Sequence, residues 1–91
     1  MTTQSQLLSS TAATNITTSK SLANGTSYSF QVSVGSDSVS LAEATSPPAL
    51  NTTDKHTLRP GEWRHVKQGS AGIYAWADTT TPSYLVITEA P

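Results

Sequence analysis

Ser27-Tyr28-Ser29-Phe30-Gln31-Val32-Ser33-Val34 is the stretch that decides the fold. In an extended chain Tyr28, Phe30, Val32 and Val34 fall on one side, and Ser27, Ser29, Gln31 and Ser33 on the other. That period of two marks a half-buried β-strand with a wet outer face. Gly35-Ser36-Asp37 breaks the alternation, and Val39 and Leu41 resume it against Ser38, Ser40 and Ala42. The pair predicts a β-hairpin with a short loop. Upstream, Asn24-Gly25 suits a type I′ turn, whose two central residues need positive φ. It predicts a further hairpin, joining a strand at residues 15–19, extended by Leu22, to the Tyr28 strand. Residues 1–12 hold no firm pattern and are expected to form a flexible arm that orders on a partner, leaving residues 13–91 as the folded domain.

Downstream, Pro47-Pro48 ends the second run, and a polar loop covers residues 51–54. A short segment at residues 56–58 leads to the turn pair Pro60-Gly61, and residues 63–67 make the next strand. Gly69-Ser70-Ala71-Gly72 turns the chain into a strand that carries Ile73, Ala75 and Ala77 on one face and Tyr74 and Trp76 on the other. The last strand runs from Tyr84 to Thr88 and is apolar on both faces, Tyr84 and Val86 against Leu85 and Ile87, which predicts a central or doubly covered position. No segment carries a helix of useful length. Six or seven short strands joined by Gly, Pro and Asn turns predict an all-β protein: a single antiparallel β-sandwich or jelly-roll-like barrel. The Tyr28 face and the Leu85/Ile87 strand are its expected core.

Composition narrows the function. Ninety-one residues suit one domain with a modest core. With no cysteine, neither a disulfide nor a thiolate is available. Charged residues are 12% of the chain, against about 25% in a typical soluble domain. Net charge is −1 and no basic stripe exists, so the counterion release that drives nucleic-acid binding is missing, as is any polybasic hold on an anionic membrane. Serine and threonine make up about a third of the residues, as expected for exposed β faces. Met1 is followed by a polar stretch with neither a charged nor an apolar leader segment, so no export signal is expected. Three Asn-x-Thr sequons, at Asn15, Asn24 and Asn51, are what chance supplies in so threonine-rich a chain.

Catalytic templates fail on inventory. No G-x-S-x-G elbow accompanies the many serines. His56 and His65 are the two histidines, and their spacing from Asp54 and Glu62 outlines no metal site. Gly69-Ser70-Ala71-Gly72 lacks the lysine and the helix of a phosphate loop. Neither a catalytic residue nor a cofactor is therefore expected. The aromatics Trp63, Tyr74, Trp76 and Tyr84 admit two readings: core of a small domain, or a flat face that anchors a protein partner or stacks on sugar rings. An outward Tyr74 and Trp76 would suit a subunit interface.

Leu22-Ala23-Asn24-Gly25-Thr26-Ser27-Tyr28, followed by Phe30 and Val32, resembles the L-x-N-G-T-x-Y stretch of fibronectin type III domains. There the tyrosine closes a corner before a late strand; here most strands follow it, which implies shared turn chemistry rather than kinship. A broader resemblance spans roughly residues 15–90. Val39-Ser40-Leu41-Ala42-Glu43-Ala44, His56-Thr57-Leu58-Arg59-Pro60-Gly61-Glu62, Gly72-Ile73-Tyr74-Ala75-Trp76-Ala77 and Leu85-Val86-Ile87-Thr88-Glu89-Ala90 follow in order. This series resembles the short structural proteins encoded among tailed-bacteriophage virion genes. The resemblance implies a virion protein, foremost a capsid decoration or cement protein, otherwise a small tail, fibre or baseplate component. It implies symmetric copies contacting the major capsid or tail proteins, and carries over no catalytic residue. The competing expectation is an immunoglobulin-like module that binds a glycan or a protein.

Overall fold

The computed structural model describes residues 3–89. Eight strands and one helical turn follow in order: β1 (Gln4–Leu8), β2 (Thr14–Asn15), α1 (Ile16–Ser19), β3 (Ser27–Val32), β4 (Val39–Ala44), β5 (His56–Leu58), β6 (Trp63–Lys67), β7 (Gly72–Ala77) and β8 (Ser83–Glu89). They form two four-stranded antiparallel sheets, ordered β1-β8-β3-β6 and β2-β7-β4-β5. Pairs β1-β8, β2-β7, β3-β6 and β4-β5 are successive rungs of one long antiparallel ribbon. Rolled up, the ribbon sends alternate rungs to opposite sheets, and contacts β8-β3 and β7-β4 complete each sheet. That winding is the jelly roll. The all-β sandwich expected from the sequence is the observed fold.

The core lies where the pleats of the two sheets meet. Tyr28, Phe30 and Val32 of β3 and Leu85 and Ile87 of β8 face Val39 and Leu41 of β4 and Ile73, Ala75 and Ala77 of β7, all buried. β8 is central in its sheet, between β1 and β3, as its apolar run predicts. The structure revises several expectations. β3 and β4 are not a hairpin: residues 33–38 carry the chain across the sandwich, so the two apolar runs oppose each other through the core instead of pairing edge to edge. Gly35, at φ +94°, makes the reversal, and Val34, beyond the end of β3, is 90% exposed.

Residues 15–19 are mostly helical rather than extended. Asn15 caps α1 by accepting the Thr18 N–H at 3.1 Å, an N-cap role its short amide favours. Asn24-Gly25 consequently joins α1 to β3 and is not a two-stranded turn; Gly25 N–H donates to the Gln68 carbonyl at 2.7 Å. The Ala23 N–H donates to Tyr28 Oη at 2.8 Å.

The expected arm contains an edge strand. β1 pairs with β8 from Gln4 opposite Ile87 to Leu8 opposite Ser83, and Leu8 is buried. Its alternation is unreadable in the sequence because inward positions Gln4 and Gln6 are polar; at the sheet margin Gln6 accepts the Ser19 hydroxyl at 2.8 Å. Met1 and Thr2 lie outside the described residues. This strand raises the count from the expected six or seven to eight.

Tyr74 and Trp76 point away from the core, as alternation predicts, yet both are buried. The long β4–β5 connection folds back over this face, and Leu50, Ala13 and Ala44 pack against Ala42, Tyr74 and Trp76 in a second, smaller cluster. Lys55 Nζ stands 5.9 Å from the Trp76 ring centroid, a cation–π contact. Among the described residues, one sheet thus has a covered back, and the other does not.

Candidate functional site

The uncovered back is that of the β1-β8-β3-β6 sheet. Side chains that leave the core on each strand share this face, and strand pairing places them in rows. One row runs Ser5, Val86, Gln31, Trp63 across the four strands. The next brings Leu7 opposite Tyr84, with Ser33 N–H donating to the Tyr84 carbonyl. Neighbouring strands are about 4.8 Å apart, so each row is a near-flat strip of adjoining side chains. Trp63, Leu7 and Tyr84 are 53%, 51% and 44% exposed, unusual values for large apolar groups in one sheet. Around them the face is hydroxyl-rich, with Lys67 opposite Ser27 at one end of β6. Ser29 Oγ and His65 Nδ1 are hydrogen-bonded at 2.7 Å, and Thr3 and Thr88 hydroxyls at 3.1 Å.

Of the four aromatics singled out in the sequence, the structure brings Trp63 and Tyr84 onto this one face. Tyr74 and Trp76 are removed from the candidate interface. They lie on the other sheet, 6% and 2% exposed, beneath the β4–β5 connection. Alternation reports their direction correctly but carries no information about a loop returning over them. Sequence reasoning misses Leu7 and Val86. Val86 follows from the β8 alternation once that strand is central; Leu7 needs the pairing of β1, which the polar sequence hides.

The other chemistry-bearing residues are dispersed. His65 is on the open face, whereas His56 accepts a hydrogen bond from Arg64 Nη2 at 2.8 Å on the inner side of β5. Glu62 Oε1 accepts the Arg59 N–H across the Pro60-Gly61 turn at 2.6 Å. Among the described residues, no group of three or more His, Asp or Glu is placed to hold a metal ion. No helix among them is long and apolar enough to cross a membrane. Comparison with known proteins found no matching family model, no similar curated protein and no similar solved structure.

Proposed function

We propose that this chain is a non-enzymatic structural protein of a virus particle, foremost a capsid decoration subunit that acts in many symmetric copies. The observation that carries the reading is the uncovered sheet back with Trp63, Tyr84 and Leu7 exposed, and Val86 half-buried among them, in adjoining rows. Tryptophan and tyrosine ringed by small hydroxyls are the composition of a docking face: large anchors, few charges to desolvate and satisfied polar groups at the rim. The jelly roll is a recurrent building block of viral shells, which supports the reading by analogy of fold. The resemblance of the Leu85–Ala90 and Gly72–Ala77 stretches to phage virion proteins points the same way.

The mechanism is assembly. The open sheet back seats on a neighbouring copy or on the major capsid protein, burying Trp63 and Tyr84 while the rigid sandwich behind holds them in register. The test is mass. Light scattering of the purified chain, alone and mixed with undecorated capsids, is expected to show oligomers or capsid-bound protein. Trp63→Ser with Tyr84→Ser abolishes both. A chain that stays monomeric and binds no capsid, and that is missing from purified virions, overturns the proposal.

A further inference from the structure

The β5–β6 side of the sandwich is its open seam, since β5 ends one sheet and β6 ends the other. A cleft of about 410 Å³ opens there, inside the span of about 300–1,000 Å³ usual for small-ligand sites. Its base is Leu41 and Val66, both core residues. Glu43, His56 and Arg64 stand above them at inward positions: His56 pairs with Leu41, Arg64 pairs with Phe30, and Glu43 alternates with Leu41. Ala42, Thr53, Asp54 and Lys55 complete the lining. Inward charges on edge strands deter edge-to-edge aggregation, but two features here go beyond that.

The first is the hydrogen bonding of Arg64. Nη2 donates to His56 Nε2 at 2.8 Å, while Nε is shut off from solvent with no partner. Nη2 and Nε lie on one edge of the guanidinium, and that edge takes a carboxylate through two parallel bonds. An imidazole offers one acceptor and fills half of it. The buried donor left over costs free energy until an acceptor reaches it. The second is that no ion pair neutralises the charges around it, Lys55 giving its ammonium to the Trp76 ring instead. Lys55, Arg64, Glu43 and Asp54 all line the cleft, and among the described residues none is ion-paired with another. With the Lys55 ammonium held over the Trp76 ring, one guanidinium faces two carboxylates, so a bare anion meets more repulsion than attraction. A ligand that carries one carboxylate and several hydroxyls meets both signs: its acid faces Arg64, and its hydroxyls donate to Glu43 and Asp54.

We propose that this cleft binds an acidic saccharide, a sugar ring bearing a carboxylate, which displaces His56 and takes Nη2 and Nε of Arg64 together. The site is separate from the open sheet back and does not depend on its role. The test is a titration of the isotope-labelled full chain with D-glucuronate, followed by NMR. Methyl glucoside supplies the ring without the acid, and acetate the acid without the ring. Glucuronate is expected to shift the Arg64 Nε–H signal and the amides of residues 41–43 and 53–56 saturably, and to bind at least about tenfold tighter than either control, the worth of one charge-assisted hydrogen bond. Arg64→Lys, which keeps the charge but loses the two-donor edge, loses that advantage. His56→Ala removes the competitor and tightens binding a few-fold, so this variant carries the test should Arg64→Lys fail to fold. No saturable shift, equal binding by acetate or methyl glucoside, or weaker binding by His56→Ala overturns the proposal.

Discussion

The Thr17 hydroxyl donates to the Gln68 side-chain oxygen at 2.8 Å and accepts the Ile73 N–H at 2.9 Å. Gln68, 2% exposed, spends its amide hydrogens on the Gly69 and Ala71 carbonyls, both at 2.8 Å. One buried amide is therefore fully satisfied, and through it the helical turn is tied to the β6–β7 crossing. Gln68→Leu strands two carbonyls and a hydroxyl around a buried side chain. It is expected to lower the unfolding free energy by about 2–4 kcal/mol, since each unsatisfied buried group costs about 1–3 kcal/mol. Denaturant titration of the two proteins checks it.

The two tryptophans give opposite outcomes. Trp76→Ala empties the covered cluster under the β4–β5 connection and is expected to cost about 3–5 kcal/mol. Trp63→Ala, on the open face, is expected to stay within about 0.5 kcal/mol of the parent, while reducing self-association in light scattering. Thermal melts of both variants, recorded at one low concentration, separate the effects.

Leu8→Ala tests the first strand. Leu8 is 5% exposed and joins the main core. The substitution is expected to destabilise by about 2–4 kcal/mol, as for buried leucines elsewhere. A mobile arm would lose nothing. Amide exchange across residues 4–8, expected to be slowed by the β1–β8 pairing, probes the strand without a mutation.

Tyr28→Phe removes the acceptor of the Ala23 N–H while keeping the buried ring. The expected loss is about 1–2 kcal/mol, the net worth of one such bond with its donor left poorly paired. The change in denaturation midpoint at unaltered slope checks it.

How much of the fold is legible in the sequence depends on what carries the signal. Tyr28, Phe30, Leu85 and Ile87 announce the core because a strand with one dry face must alternate. Alternation is blind to which sheet a strand joins. The chain from Val32 to Val39 reads as a hairpin whether its arms pair or oppose each other, and only the other six strands decide. Asn15–Ser19 reads as a strand because a single helical turn, held by its cap and by the burial of Ile16, has no period to show. The site divides on the same line. Trp63 and Tyr84 are recognisable as exposed-face candidates from their own strands. Tyr74 and Trp76, identical in pattern, are hidden by a connection distant in sequence. Arg64 gives no signal, since its interest lies in a neighbour eight positions away and in a donor that neighbour leaves unfilled.

The pairing of the first strand with the last has a practical side. Gln4 stands opposite Ile87 in the register of β1 and β8, so any polypeptide joined before the one and after the other enters and leaves at a single corner. The sandwich is thus built like a bead clipped onto a thread. A short linker from Glu89 to Gln4 would therefore close these described residues into a ring without unpairing either strand.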